Sequence, residues 1–421
     1  MKNQIKSDFD KVVKKLKLPK KNIDLRKKNL DKFINLGFPN KREEEWKFSD
    51  LNKIISSNIK DLKFFNKELF NKENKTIAPK NALPYKLFEH NKIVITNGVV
   101  DIIDFKYEDL NKIDIINTAE NQSSNTKQSL IYLNSAFNTN YLKIVIKKNY
   151  SLNKPVILYN FTDEKINSTN INQRLDIFLE ENSRLNLINF FTDYSGNNFI
   201  NINHEFKVEK DSILKNYIID CKENSNIKYF NNNIDLNQNS LVENFILSTG
   251  SKFIKNEIIC NLKEKYSSAF ISGVINLKSN QQHEIKTNVN HLAENTKSYQ
   301  LIKSILNENS KGIYQGKIFV DSKAQKTNGY QLSKAILLNE NAEFDAKPEL
   351  EIYADDVKCT HGSTSGCLDE NSIFYLMSRG IKRNDAEKLL INGFILDAVE
   401  KITDLEIKKL IKEIMGIIEW I

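Results

Sequence analysis

Cysteine and histidine are scarce in this chain of 421 residues, which has four of one and five of the other. Cys221, Cys260, Cys359 and Cys367 have no regular spacing, so a disulfide framework is excluded and reduced thiols in a soluble, cytoplasmic protein are expected. Long apolar runs are also missing. No stretch approaches the roughly 18 apolar residues that cross a bilayer, so no membrane span is expected. The first apolar residues, Ile5, Phe9, Val12, Val13 and Leu16, are separated by lysines and spaced for one face of a helix. A secretory signal would instead join about 7–15 apolar residues without a break. There is no G-x-x-x-x-G-K-[ST] loop, no C-x-x-C pair, no H-E-x-x-H and no G-x-S-x-G elbow. Nucleotide-phosphate, standard zinc, redox and serine-hydrolase chemistry therefore lack their usual carriers. Nor does charge of one sign dominate. The 62 basic and 54 acidic residues are interspersed and leave a net +8, which reads as a solvated surface and not as a nucleic-acid footprint.

What is present falls into three regions. Residues 1–85 carry helical punctuation: Leu30, Phe33 and Ile34 share a face, and Gly37 and Pro39 follow as stop signals. In "REEEWKFSDL" Trp46 reads as an anchor for these helices and Ser49 as the cap of a helix carrying Leu51, Ile54 and Ile55. Asn and Lys dominate 71–82, which reads as a linker. Residues 86–368 change character, to short β-branched and aromatic stretches such as "KIVITNG", "YLKIVIKK" and "GKIFV", separated by Asn, Ser, Asp and Lys. Residues 369–421 are helical again. Asp369 caps a helix burying Ile373, Phe374, Leu376 and Met377; Asn384 opens the next; Thr403 and Glu406 form a capping box. The last helix sets Ile407, Leu410, Ile411, Ile414, Ile418 and Ile421 on one stripe, expected to pack on the preceding helix.

A loose repeat runs through the middle region. "ENS" (181–183), "KDS" (210–212), "QNS" (238–240), "KYS" (265–267), "ENS" (308–310) and "ENA" (340–342) have third positions separated by 29, 28, 27, 43 and 32 residues. A quasi-period near 28 with two short strands per unit fits a β-solenoid, in which each coil rests on the last. A β-sandwich gives no reason for a tripeptide to recur at that interval. The first and last coils of a solenoid expose unpaired backbone groups, so the helical regions or a partner's solenoid are expected to cover them.

The residues that could carry chemistry cluster in "DDVKCTHGSTSGC", 355–367. If "EIYADDVKCTH" is the last strand, Cys359 and His361 project from the same face, because side chains on a strand alternate. A thiolate and an imidazole suit iron or zinc. Two ligands cannot close a tetrahedral site, so any metal needs further donors from a distant segment or a second chain; an inert pair is the alternative. No third group is evident that would orient a Cys–His nucleophile. Cys367 lies beyond what reads as a Gly362–Gly366 turn. Asp355 and Asp356 are adjacent on the expected strand and so face opposite ways. His283 and His291 read as solvated or hydrogen-bonded strand residues, His90 and His204 as residues without a local partner. Cys221 and Cys260 read as small buried residues.

The stretch "KPELEIYADDVKCTHGSTSGCLDENSIFYLMSRGI" closely resembles the C-terminal signature of the SufD family, scaffold subunits of iron–sulfur cluster assembly. "GIYQGKIFVDSKAQKTNGYQLSKAILLNENAEFDAKPELEI" resembles the coils before it, and "REEEWKFSDL" the family's Arg-x-x-Glu-Trp-Lys element. The resemblance is specific over about 312–400, weak in the middle and short at the N-terminus. It implies a right-handed parallel β-helix between N- and C-terminal helical domains, with boundaries here near 85 and 369. It also implies partners: a SufB-like subunit joined through the C-terminal end of the β-helix, and a SufC-like ATPase docked on helices 369–421. ATP hydrolysis would then belong to the partner and not to this chain. By resemblance His361 matches a histidine beside the nascent iron–sulfur cluster at the SufB–SufD seam, and Cys359 matches a cysteine found next to it in some members. His361-Gly362 stands where the SufB branch carries a Glu-Ala-type sequence. A flavin is implied for the assembled complex, with no site legible on this chain. A passive structural subunit, a SufB-type subunit and a polysaccharide-acting β-helix remain as alternatives, the last without the grouped carboxylates or secretion signal it would want.

Overall fold

The computed structural model describes residues 2–70, 83–120, 128–193 and 196–417. The linker expected over 71–82, and Ile418, Ile421 and the rest of the finish beyond 417, lie outside the described residues. From Asn91 to Gly366 the chain winds into a parallel β-solenoid whose coils each lay one strand on a 10-stranded sheet and one on a 9-stranded sheet. Successive strands of a sheet pair in parallel with no shift, as in Phe253↔Gln282 through Leu262↔His291, so each position stacks on its counterpart one coil away. Ile, Leu, Val and Phe from the inward faces of both sheets fill the space between them as one long core.

The recurring tripeptides mark the corners. Ser183, Ser212, Ser240 and Ser267 each precede a strand of the 10-stranded sheet, and the residue before each (Asn182, Asp211, Asn239, Tyr266) has φ between 54° and 64°. The buried hydroxyl then closes the turn: Ser183 donates to the Glu180 carbonyl at 2.6 Å, and Ser240 to that of Asn237 at 2.7 Å. Ser310 and Ala342 sit instead before strands of the 9-stranded sheet, at the opposite corner. The 43-residue step is therefore a change of corner. The first series continues through Thr296, behind Asn295, whose φ is 58°.

Asparagine, abundant along the chain, also stacks inside. Asn189 donates to Asn216 at 3.0 Å and Asn216 to Asn244 at 2.7 Å, all three fully buried on successive coils. Asn216→Ala leaves a donor and an acceptor without partners in the core, and is expected to lower unfolding free energy by about 2–4 kcal/mol. A denaturant titration checks this, and a loss under about 0.5 kcal/mol would show that the ladder contributes nothing.

Among the described residues the α-helices do not cap the solenoid's ends; they cover its two broad faces. Helices Lys2–Leu16, Lys20–Leu36 and Leu51–Asn58, joined by Ser129–Phe137 from between the strands, pack on Phe199, Ile227, Tyr229 and Phe253 of the 9-stranded sheet. Trp46 anchors this layer to the sheet itself, its ring 5.6 Å from that of Tyr229 and 4.4 Å from the Lys255 ammonium. Helices Arg383–Val399 and Leu405–Met415 cover the outer face of the 10-stranded sheet, where Ile407, Leu410 and Ile411 join one buried cluster with Ile395, Ala398 and Val399 of the preceding helix and Ile188, Tyr217 and Phe245 of the sheet. The expected caps shift by a residue or two. Asp50, not Ser49, caps Leu51–Asn58; Lys382 precedes Arg383–Val399 with no side-chain cap; Asp404 caps the last helix. Ser49 and Thr403 are taken by sheet carboxylates instead, bonding Glu284 and Glu243 at 2.6 Å each. Asp369 caps Glu370–Ser378 as expected, accepting from the amides of Asn371 and Ser372.

The first coil is closed by antiparallel strands, Val99–Asp104 against Asn91–Thr96 and Ile113–Thr118 against Tyr141–Ile146. Among the described residues the last coil has no such neighbour, and strands Glu343–Ile352 and Val357–Gly366 are the sheet edges at that end.

Candidate functional site

The expected strand "EIYADDVKCTH" is broken in the structure. Its first part ends at Ile352, the chain turns at 353–356, and Val357–Gly366 begins on the other sheet. Asp355 and Asp356 are exposed corner residues, where the Asp356 carbonyl accepts from the Lys326 amide at 2.6 Å. Gly362–Gly366 is not a turn but the second half of the strand, and Cys367 lies exposed just past its end.

Cys359 and His361 do project from one face, and register shows which. Ile302 and Leu306 belong to the core and align with Ser333 and Leu337, so Gly329, Gln331 and Ser333 face inward; these align in turn with Cys359, His361 and Ser363. The pair therefore faces the space between the sheets, on the coil where that space opens. Cys359 is half-buried against Ile318, Val320, Ala324 and Ala354, and burial pushes its thiol pKa up, partly opposed by a hydrogen bond from the Gly329 backbone. Gly329 leaves room for it: a β-carbon there would lie 3.3 Å from the Cys359 sulfur. His361 is exposed.

Facing them across the opening are the inward residues of Glu343–Ile352: Phe344, Ala346, Pro348 and Leu350, half-buried, and Ile352, exposed. The outward side of that strand is charged and paired. Lys311 holds Glu343 and Asp345 at 2.5 and 2.6 Å, and Lys347 meets Glu349 at 3.1 Å. Charges and a proline blunt one edge. Val357–Gly366 carries a single charge, Lys358, and no residue of it is buried, whereas strand Phe253–Leu262 is buried at eight of ten positions. The mouth thus combines an open strand edge, an apolar strip, and a thiol and an imidazole on one face. Among the described residues no three His, Cys, Asp or Glu gather as a metal site.

A second exposed surface lies on helix Glu370–Ser378. Only Ile373 is buried there; Phe374, Tyr375 and Met377 are 73%, 57% and 42% exposed, because the short helix leans on its neighbour by one side alone.

The remaining histidines and cysteines lie elsewhere. His283 bonds Ser248 Oγ at 2.9 Å and the Ser251 carbonyl at 2.7 Å; His291 bonds Thr296 and Ser298 hydroxyls; both are buried and neither is solvated. His90 does have partners, the Phe88 carbonyl at 2.9 Å and the Tyr159 hydroxyl at 2.8 Å. Cys260 is fully buried and Cys221 half-buried. No helix among the described residues is long and apolar enough to cross a membrane. Sequence reading overlooked Gln331 and Gly316 near the mouth; a glycine inside the strand "KGIYQGKIFV" was the available signal, since mid-strand glycines mark close approaches.

The chain is similar to known proteins over most of its length. Residues 161–394 match the family described as "SUF system FeS cluster assembly, SufBD core domain". The iron–sulfur cluster assembly protein SufD of Escherichia coli is 24% identical over 390 residues, 90% of this chain and 89% of that protein. SufD of Bacillus subtilis is 40% identical over 83 residues, 20% of this chain and 18% of that protein, and SufD of Plasmodium berghei 25% over 243 residues, 56% and 18%. A solenoid of this architecture, matched by the core domain over more than half the chain, belongs to the SufBD family of iron–sulfur cluster assembly proteins, on its SufD branch.

Proposed function

We propose that the chain is the SufD-like subunit of a cytoplasmic SufB–SufC–SufD scaffold, and that Cys359 and His361 form its half of a site where a nascent iron–sulfur cluster is built. The observation that carries this reading is that both side chains face inward from the last strand of an unclosed coil. A SufB-like solenoid meeting this mouth would cover the apolar strip and the free edge of Val357–Gly366, and would supply the missing ligands. The cluster is cargo. The chain's part is to present a neutral imidazole and a thiol that loses its proton on binding iron. The exposed aromatics of helix Glu370–Ser378 suit docking of a SufC-like ATPase, with turnover left to that partner. A flavin in the assembled complex is assigned no residues here.

The test is His361→Ala in the chain co-purified with its SufB- and SufC-like partners. The complex is expected to assemble at normal stoichiometry while iron and sulfide retained after reconstitution fall about tenfold or more. Undiminished cluster content in an intact complex would reduce the chain to a structural partner. Cys359→Ala, run alongside, reports whether the thiol is a ligand or part of the packing.

A further inference from the structure

Beneath His361, in register with it, lies Gln331, fully buried. Its amide is held across the lumen. The nitrogen donates to the Gly316 carbonyl at 3.2 Å, and since a carbonyl can only accept, this fixes which end of the amide faces Gly316. Gly316 is needed for the contact, as a β-carbon there would sit 2.5 Å from both Gln331 Nε2 and the Tyr314 hydroxyl. The Gln331 oxygen Oε1 is then left buried with no partner. Below it in the column stands Gln300, whose oxygen accepts from Tyr314 at 3.2 Å and whose nitrogen is likewise unpartnered. Above it in the column stands His361, on the sheet's edge strand. A carbonyl oxygen has two lone pairs, so one can take the Gln300 amide and the other a ring N–H from above.

We propose that Gln331 is a positioning residue for His361: it accepts one ring N–H, which fixes on which nitrogen that proton sits and turns the other ring nitrogen out of the mouth. A histidine that binds metal is commonly oriented by such an acceptor behind it. The role deepens the cluster-site reading and rests on it for its purpose, although the orientation itself can be measured without partner or cluster. Gly316, Gln331 and His361 then form one device, in which the glycine seats the amide and the amide seats the ring.

The experiment is NMR of the full chain labelled with ¹⁵N-histidine, the His361 signals being identified by their loss in His361→Gln. The wild type is expected to show a His361 ring N–H whose exchange with water is about tenfold or more slower than that of a free imidazole. Gln331→Met, which keeps the volume and removes the acceptor, should abolish that signal; Gln331→Glu, which keeps an acceptor, should retain it. A wild-type chain without a protected His361 N–H, or one protected equally in Gln331→Met, overturns the proposal. Should Gln331→Met not fold, the wild type and Gln331→Glu still decide. None of these outcomes depends on cluster yield, so a failed His361→Ala test would remove the site while leaving the orientation standing.

Discussion

Lowering the pH from 7 to 4 is expected to remove most of the chain's folding free energy, with the steepest loss beginning near pH 6 and not below pH 4.5 where carboxylates titrate. The cause is three imidazoles locked neutral inside the solenoid. His204, His283 and His291 are no more than 3% exposed, and burial lowers each pKa from the ordinary 6.5 to about 4. Above 6.5 neither the folded nor the unfolded chain protonates them and no penalty exists. Below it the unfolded chain takes up three protons that the folded one refuses, so stability falls until about pH 4. Each site contributes about 3 kcal/mol at the end of that range, together a sum comparable to the whole stability of a domain. Asp220, Glu205 and Glu257 work the other way. Burial raises their pKa values, so acid relieves a cost the folded state carries at neutral pH. Three carboxylates offset part of the loss. Urea unfolding at a series of pH values measures the slope, and His204→Leu should reduce it by about a third, since it removes one of the three buried imidazoles. An unchanged slope in that variant would exclude the buried imidazoles as the cause.

The second large effect is expected at Lys228. Its ammonium is fully buried between Asp193 and Asp220, the latter at 2.5 Å, and lies 4.8 Å from the centre of the Phe191 ring. Ser251 adds a hydrogen bond to Asp220 at 3.2 Å. Burial alone would discharge the lysine, but the two carboxylates more than offset it and keep it charged. Lys228→Met keeps most of the volume and leaves two uncompensated carboxylates in the core, at an expected cost of about 3–5 kcal/mol. Adding Asp193→Asn and Asp220→Asn to Lys228→Met should recover most of that loss, because the penalty belongs to the stranded charges and not to the missing ammonium. If the triple variant is as unstable as Lys228→Met alone, packing around the side chain is responsible.

Lys228 also shows why part of this molecule was illegible beforehand. In the sequence it is one of many lysines and reads as solvated. Its partners come from positions 193 and 220, brought together only when the coils stack. Lys255 is the same case, with Glu284 of the next coil beside it and Trp46 of the N-terminal layer over it. The caps differ from expectation at Ser49 and Thr403 for a related reason. A local rule assigns these hydroxyls to helix amides, whereas the folded chain offers them buried carboxylates from sheets far away in sequence. The 43-residue step in the repeat joins two different corners of the coil, which the sequence does not distinguish.

The linear chain by itself determined that the middle is a stack of short strands, that turns recur about once per coil, that helices flank it, and that Cys359 and His361 share a face. Each of these follows from a period of a few residues, or from one that returns every coil. The tertiary structure alone decided that this face is the inner one, that the helices cover the flanks and leave the last coil open, and that Gln331 lies beneath the imidazole. Those facts rest on register between strands about thirty residues apart, and no local preference encodes it, because register is set by which side chains fill the common core.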